Sequence, residues 1–350
     1  MKKLYIVTGA NGHLGNTIVK RLVEKGEQVR CLVLPSDNMK SLQNVNCEIY
    51  YGDVTQKSSL DEIFTFAKGT EVNVIHCAAI VSISSKKDKK VKEVNVGGVK
   101  NMLDISIERG VSKFVHVSSV HAIPEGKKGS LIKEVSEFSP DNVVGLYAKT
   151  KAEATQLVLD AAKSGKLNAC VVHPSGIIGP NDYGHGHLTQ MIIDYIDGRL
   201  TACVKGGYDF VDVRDVAEAT INAVEHGRNG ECYILSGHYM SVKNLLNELS
   251  KITGKRPIRT VLPMWLAKLT APLSEIYYRL LKQPPLYTKY ALFTLEVNSN
   301  FTHQKATDEL NFNPRPLEET LKDAACWLKE NGRLKVKKRK KATQNAADKN

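Results

Sequence analysis

The feature that most constrains this chain is a glycine-rich turn that directly follows its first apolar run. Leu4–Val7 leads into Thr8–Gly15, with the sequence TGANGHLG, and apolar residues at helical spacing come next. Glycines at such a junction permit a tight turn and let backbone N–H groups approach a pyrophosphate, which the positive end of the following helix attracts. The pattern therefore predicts a dinucleotide-binding loop that includes Gly9, Gly12 and Gly15.

Short apolar runs alternate with helical patterns along the first half of the chain. The runs Val29–Leu34, Val72–His76 and Phe114–Val117 lack strict two-residue alternation, and Val99–Ile107 has helical spacing. Continuous apolar runs are typical of strands that helices cover on both faces, and the alternation of runs and helices indicates βαβ units. We predict an α/β fold of Rossmann type, with a doubly wound parallel sheet.

The second half of the chain is less regular, with longer loops between its predicted helices. We expect residues 1–172 to form mainly the dinucleotide-binding Rossmann domain. Residues 173–330 are expected to form mainly a smaller α/β substrate lobe, part of which returns to the first sheet. Residues 331–350 are predicted to be a disordered basic tail.

The net charge of +12 does not by itself indicate a nucleic-acid partner. Residues 333–350 hold eight Lys or Arg and one Asp, which leaves +5 for the rest of the chain. The seven cysteines are scattered without C-x-x-C spacing, so neither a disulfide framework nor a metal site is predicted. A reducing cytoplasm is the expected location, because the apolar N-terminal stretch is also too short for a secretion signal.

One segment, Met264–Lys282, is apolar enough to raise the question of a membrane. Charged residues and Pro272 interrupt it, so no integral membrane segment is predicted. Core helices or a lid over a pocket are the favoured interpretation, and contact with a membrane surface is the alternative.

The choice between NAD and NADP stays open at this stage. A dinucleotide fingerprint expects an acidic residue, or an arginine for a phosphorylated ribose, at the end of the second strand. Leu34 stands at that end; Asp37 follows three residues later, and Arg30 or Lys40 could meet a 2′-phosphate. The predicted cofactor is therefore NAD or NADP.

Two further strand ends carry candidate cofactor contacts. Asp53 and Val54 follow a third apolar run, where a carboxylate could accept a hydrogen bond from an adenine amino group; the alternative is a cap on a helix that begins near Ser58. Small residues including Ala78 close the next strand and would let backbone lie against the cofactor, while His76 is better explained as a core histidine.

Tyr147 and Lys151 are four residues apart, which places them on one face of a helix. A tyrosine hydroxyl has an ordinary pKa of about 10, so it needs a nearby cation to act as a base near neutrality. Ser118 and Ser119 follow the strand Phe114–Val117, at the edge where parallel sheets bind ligands. No G-x-S-x-G elbow accompanies these residues, which argues against a serine hydrolase.

Taken together, these motifs resemble the extended short-chain dehydrogenase/reductase family, of the NAD-dependent epimerase/dehydratase type. The resemblance runs from about Lys3 to about Lys329 and is greatest to bacterial dihydroflavonol-reductase-like proteins. It is carried by TGANGHLG, GDV at 52–54, HCAA at 76–79, NVGG at 95–98, VSS at 117–119, YAKTK at 147–151, HPSGIIGP at 173–180 and FVDVRD at 210–215.

The resemblance implies a role for each matching residue. Tyr147 would be the acid/base, Lys151 would bind the nicotinamide ribose and lower the pKa of the tyrosine, and Ser119 would hold the substrate oxygen. The remaining implied contacts are backbone to the pyrophosphate (Asn11, His13, Leu14), adenine (Asp53, Val54), the walls of the cofactor cleft (Ala78, Pro174, Ile177) and a residue that orders the cleft (Asn95).

Two positions depart from the family pattern. Leu34 stands where such reductases often have Arg. His173 stands where many relatives have Arg, and this second departure suggests a different substrate end. We expect an NAD(P)-dependent oxidoreductase that interconverts a carbonyl and a secondary alcohol on a small hydrophobic molecule. A sugar-nucleotide epimerase or dehydratase, with Arg214, Arg256 or Arg315 on the diphosphate, is the alternative, and a non-catalytic nucleotide binder is a third. By analogy, a homodimer is expected through helices flanking Leu103 and Leu157.

Overall fold

The structure is a computed structural model that describes residues 3–82, 88–184, 186–280 and 288–334. Residues 335–350, most of the predicted basic tail, lie outside the described residues. The described strands are β1 (Lys3–Thr8), β2 (Gln28–Val33), β3 (Glu48–Tyr51), β4 (Glu71–His76), β5 (Lys113–Val117), β6 (Ala169–Pro174), β7 (Gly176–Ile178), β8 (Cys203–Val204), β9 (Gly207–Asp212), β10 (Cys232–Leu235), β11 (His238–Ser241) and β12 (Val261–Leu262).

The α-helices lie mostly between these strands and at the C-terminal end. They are α1 (His13–Glu24), α2 (Lys89–Lys92), α3 (Gly98–Glu108), α4 (Leu146–Lys163), α5 (His187–Ile196), α6 (Val213–His226), α7 (Val242–Thr253), α8 (Met264–Leu280), α9 (Lys289–Thr294), α10 (Gln304–Leu310) and α11 (Leu317–Glu330). Short 3-10 turns and one π-helical turn, Glu93–Gly97, join some of them.

Seven strands form one parallel sheet in the order β10-β6-β5-β4-β1-β2-β3. The strand order reverses between β1 and β4, and the crevice outside the carboxyl ends of strands at such a point is where open α/β sheets bind ligands. The fold is therefore the predicted doubly wound Rossmann type, and its switch point lies directly beside the glycine-rich loop.

Each face of this sheet packs against its own helices, because successive side chains of a strand point to opposite faces. Leu4 and Ile6 of β1 join the core under α3 and α4, whereas Tyr5 and Val7 join the core under α1 and α6. This double cover explains why the strands read as continuous apolar runs. Leu103 packs inside the first of these cores, and the homodimer stays a prediction.

The second half of the chain builds a smaller unit beside the carboxyl edge of the sheet. Strand β9 pairs in parallel with β7 and antiparallel with β11, and their apolar residues pack against α5, α7 and α11. Strand β10, which follows β9 in the chain, pairs with β6 in the large sheet. Across the described ranges, none of the helices is both long and apolar enough to cross a bilayer.

Candidate active site

The glycine-rich loop makes its closest approach to the loop after β4. Gly9 has a φ of +62°, and a Cβ at this position would lie 2.9 Å from Cα of Ala78. A Cβ on Gly15 would lie 2.1 Å from the carbonyl oxygen of Gly9, so α1 approaches the turn more closely than any side chain allows. Both glycines are therefore required by the packing of backbone against backbone at the switch point.

The first turn of α1 is open toward the same crevice. Gly12 stands at its N-cap and offers no side chain to the first backbone N–H groups, which include those of His13 and Leu14. The positive end of this twelve-residue helix is thus left for an anion. The glycine cradle and the uncapped helix fit the pyrophosphate of a dinucleotide, as the sequence predicted.

Side chains of α1 hold the loop after β7 across this helix end. His13 Nε2 lies 2.9 Å from the carbonyl oxygen of Pro180, and the Asn16 amide donates to the carbonyl oxygen of Asn181 at 3.0 Å. Asn11 lies on the other side, where its carbonyl oxygen accepts a hydrogen bond from the Ser41 hydroxyl. Loops from two parts of the chain therefore border the helix end.

Asp53 and Val54 lie beyond β3 on the β2 side of the crevice. One Asp53 carboxylate oxygen accepts hydrogen bonds from the backbone N–H and the hydroxyl of Thr55. The nearby 3-10 turn Lys57–Leu60 has Gln56 at its N-cap, so Asp53 does not cap it and that alternative is wrong. Val54 is buried against the start of α3.

The residues considered as contacts of the adenosine ribose lie in different surroundings. The Arg30 guanidinium donates to the carbonyl oxygens of Ile63 and Thr65 and pairs with Glu48, which removes it as a 2′-phosphate ligand. The Asp37 carboxylate accepts a hydrogen bond from the backbone N–H of Leu34. Exposed Lys40 follows on a 3-10 turn, so a carboxylate and an ammonium both border this end of the crevice.

Asn95 ties three parts of the cleft together from inside the π-helical turn. Its side chain accepts a hydrogen bond from the Ile80 backbone N–H at 2.8 Å and donates to the Ile80 carbonyl oxygen at 3.1 Å and to the Thr150 hydroxyl at 3.1 Å. This fixes the segment after Ala78 against α4. Pro174 ends β6, and Ile177 follows on β7 at the same edge of the sheet.

Tyr147, Lys151 and Ser119 meet at the carboxyl end of β5. Tyr147 and Lys151 occupy the first turns of α4 and are almost fully buried. The Lys151 ammonium donates to the carbonyl oxygen of Val117 at 2.8 Å, and the Ser119 side chain lies near enough to the Tyr147 phenol to lower the pKa of that group. The structure thus brings together the three side chains that the sequence analysis singled out.

Burial controls the protonation of this group. It raises the pKa of Tyr147 to about 12, against the lowering effect of the hydrogen bond with Ser119. Burial also lowers the pKa of Lys151 to about 8. The Tyr147 hydroxyl therefore keeps its proton at neutral pH, and the role of Lys151 in lowering its pKa stays a prediction.

The two serines after β5 point to different neighbours. The Ser118 hydroxyl forms a buried hydrogen bond of 2.7 Å with the Thr155 hydroxyl.

His173 lies under the second serine, Ser119. Its Nδ1 is 2.9 Å from the carbonyl oxygen of Ser119, and its ring is stacked on Phe138. His173 is wholly buried and supports the backbone at Ser119, and the expectation that it marks a different substrate end stays a prediction.

Three aromatic rings that the sequence analysis did not single out form a connected group beside Tyr147. The His121 ring lies edge-on to the Tyr147 ring at 6.1 Å and stacks on the Tyr208 ring, whose hydroxyl is 3.0 Å from His121 Nε2. The Tyr290 ring lies 6.0 Å from that of His121. A Cβ on Gly145 would lie 2.2 Å from this Tyr290 ring, so glycine is required there as well.

Neither Tyr208 nor Tyr290 stands in a spacing that sequence alone could connect with Tyr147. Burial lowers the pKa of His121 to about 4, so its imidazole is neutral at pH 7. The wall beside the Tyr147 hydroxyl is consequently aromatic and uncharged.

Comparison with known proteins finds relatives along nearly the whole chain. The sequence model of the NAD dependent epimerase/dehydratase family matches residues 5–236. Sterol demethylase protein B of Methylococcus capsulatus is 29% identical over 335 residues, which cover 94% of this chain and 99% of that protein. A Synechocystis protein provisionally named dihydroflavonol 4-reductase is 29% identical over 340 residues, covering 96% and 97%. The crystal structure of gox2253 is 31% identical, covers 95% of this chain and 99% of its own, and has a TM-score of 0.82.

Proposed function

Because the chain belongs to the NAD dependent epimerase/dehydratase family of extended short-chain dehydrogenases/reductases, as its motifs predicted, we propose that it is an NAD(P)-dependent oxidoreductase. The proposed reaction interconverts a carbonyl and a secondary alcohol on a small hydrophobic molecule. The observation that carries the proposal is the burial of Ser119, Tyr147 and Lys151 together at the carboxyl end of β5, where the Lys151 ammonium donates to the Val117 carbonyl oxygen.

The cofactor would lie along the crevice described above. Its pyrophosphate would meet the backbone of Asn11, His13 and Leu14, and Lys151 would bind the nicotinamide ribose. The remaining proposed contacts are the turn glycines (Gly9, Gly12, Gly15), the adenine side (Asp53, Val54) and the cleft walls (Ala78, Asn95, Pro174, Ile177). When bound, the nicotinamide supplies or accepts the hydride.

The proton moves at the Tyr147 hydroxyl. Because burial raises the pKa of this phenol to about 12, its resting form carries the proton that carbonyl reduction consumes. The Ser119 hydroxyl would hold the substrate oxygen and, by donating to the phenolate, stabilise Tyr147 after the transfer. The Lys151 ammonium, held by the Val117 carbonyl oxygen, adds a positive charge behind this pair.

The wall beside Tyr147 supports a hydrophobic substrate. Neutral His121 and the rings of Tyr208 and Tyr290 offer flat apolar surface and few hydrogen-bonding atoms. The relatives named for a sterol and for a dihydroflavonol act, by those names, on molecules with fused rings. We therefore propose a ring-containing ketone or alcohol of low charge.

A sugar-nucleotide epimerase or dehydratase would need a cation for the diphosphate of its substrate. Arg214 is already bound to Asp212 and Asp323, and Arg315 is bound to Asp215. Of the three arginines considered, only Arg256 has an exposed position without an ion pair in the described part of the chain. Because Arg214 and Arg315 are already paired with carboxylates, the oxidoreductase is better supported than the epimerase.

The test is turnover of hydrophobic ring ketones with NADH or NADPH, followed by the nicotinamide absorbance. We expect a net change of absorbance, which an epimerase does not produce. Tyr147→Phe should keep cofactor binding and lose about 100- to 10,000-fold in kcat, the usual contribution of a positioned acid. Tyr233→Phe, which removes a hydroxyl bonded to Glu309 at the β10 edge, is the matched control. Wild-type turnover by Tyr147→Phe would disprove the assignment.

We further propose that the two halves of the chain, divided near residue 172, act as cofactor and substrate units, and that the protein works in the cytoplasm as a homodimer. Gel filtration with light scattering, and fractionation of the source cells, test the last two points.

A further inference from the structure

Helix α8 exposes five large apolar side chains along one side. They follow one another at intervals of four, four, three and four residues, which confines them to an arc of about 80° on the helix. Their exposed fractions run from 52% to 78%: Trp265, Leu269, Leu273, Ile276 and Leu280. We call these five residues the α8 stripe. On the opposite side of α8, Ala267 and Ala271 are wholly buried and pack against Leu292 of α9.

Such an arrangement is costly in water. Single exposed leucines are normal on a folded protein, but a continuous apolar stripe usually marks a surface that another body covers. Each side chain of this size gains about 1.5–3 kcal/mol when it leaves water. Among the described side chains of α8, two alanines are fully buried while five large apolar residues are exposed, so most of the apolar surface described for this helix faces away from the core.

Along the sequence, the positive charge of the protein is concentrated in the segment that contains this stripe and in the tail. Residues 255–289 hold seven Lys or Arg and one Glu, and residues 333–350 hold eight Lys or Arg and one Asp. Since the whole chain carries +12, the remaining residues carry −1. Arg256 and Arg259, on the approach to α8, are exposed.

We propose that the α8 stripe binds the surface of an anionic lipid bilayer, with the helix lying in the plane of the interface. Apolar side chains on one face, a tryptophan among them and basic residues around them are the features with which helices bind such surfaces. A second copy of the chain is a poorer occupant of this surface. A symmetric contact would bring residues 255–289, whose net charge is +6, against the same residues of that copy.

The position of α8 connects this surface with the active site. Leu292, which packs against α8, is two residues from Tyr290, whose ring forms part of the wall beside Tyr147. A bilayer-bound α8 would hold this wall next to the lipid phase, where a hydrophobic ketone is most concentrated. This consequence, unlike the lipid binding itself, rests on the proposed function.

The experiment measures binding of the full chain to phosphatidylcholine vesicles with and without phosphatidylglycerol, by co-sedimentation. We expect binding to the anionic vesicles only. The double variant Leu269→Gln/Leu273→Gln should bind at least about tenfold more weakly, because two side chains no longer enter the interface. Leu131→Gln, which changes a 51% exposed leucine outside α8, should bind like the wild type.

A second measurement locates the contact. In a Trp327→Phe background, Trp265 is the one remaining tryptophan, and its emission should shift to the blue when anionic vesicles are added. Three results would overturn the lipid surface: no binding by the wild type, full binding by the double variant, or a blue shift on concentration of the protein without vesicles, which indicates self-association. Turnover of a water-soluble ketone by the double variant should stay unchanged, so loss of the proposed reaction and loss of lipid binding are separately visible.

Discussion

At the scale of single residues, Lys151 carries a charge in a place that disfavours it. Its side chain is 3% exposed and burial lowers its pKa from 10.5 to about 8. Between these two values the unfolded chain binds a proton that the folded chain does not, so the free energy of unfolding rises with pH. Below pH 8 both states are protonated and the full cost of the buried charge is present.

This predicts a pH-dependent difference between the wild type and Lys151→Met. From pH 8 to pH 10.5 the unfolding free energy of the wild type should rise relative to the variant by about 3 kcal/mol, at about 1.4 kcal/mol for each unit of pKa shift. Urea unfolding of both proteins at several pH values measures it, and the variant cancels the titration of all other groups. A constant difference across this range would mean that Lys151 titrates normally.

At the scale of elements, strands β4, β5 and β6 each carry a buried histidine near the carboxyl end: His76, His116 and His173. Burial lowers the pKa of His76 to about 3 and that of His173 to about 4, and holds that of His116 well below its ordinary value. Within the described ranges, neither ring nitrogen of His116 has a hydrogen-bond partner. The three imidazoles are therefore neutral at pH 7. When the pH falls, these histidines are protonated in the unfolded chain before they are protonated in the folded chain.

We expect His116→Leu to stabilise the protein. At pH 7 the gain should be about 1 kcal/mol, because a buried polar group without partners is removed. As the pH falls from 6.5 toward 4, each such histidine lowers the free energy of unfolding of the wild type by about 1.4 kcal/mol per pH unit. The variant has one such histidine fewer, so its free energy of unfolding falls less steeply. Urea unfolding at pH 7 and pH 5 tests this, with exposed His226→Leu as the control. A smaller advantage at pH 5 than at pH 7 would contradict it.

Some of these structural elements could be predicted from the sequence and others could not. The strands and the glycine turn were predictable because local patterns, apolar runs and glycine at a strand end, determine them. The aromatic wall was not, since Tyr208 and Tyr290 reach Tyr147 only through long-range packing. His173 shows the same limit: its place in a motif did not reveal that the fold buries it under the backbone of Ser119.

At the scale of the whole molecule, the motif FVDVRD joins the halves of the chain. Asp212 ends β9, caps α6 through the Arg214 backbone N–H and is paired with the Arg214 guanidinium, which also reaches Asp323 of α11. Arg315, before α11, pairs with Asp215 in the first turn of α6. The motif identified the family in the sequence, and the structure shows that its charged residues hold α6, which covers the large sheet, to α11, which covers the smaller unit.

Asp212→Asn tests whether this network couples the two units. The amide keeps the size and one oxygen for the α6 cap, but it leaves the partly buried Arg214 without its inner carboxylate. Removing one partner of a buried pair costs about 3–5 kcal/mol, and a loss near the lower end is expected because Arg214 keeps Asp323. Asp323→Asn, at a carboxylate whose side chain is 37% exposed, should cost about 0–1 kcal/mol. If the network couples the units, urea unfolding of Asp212→Asn in a Trp265→Phe background, followed by the fluorescence of Trp327 in α11, should move to lower urea together with the far-ultraviolet signal of the sheet. Separation of the two transitions would show that the ion pairs stabilise α11 alone.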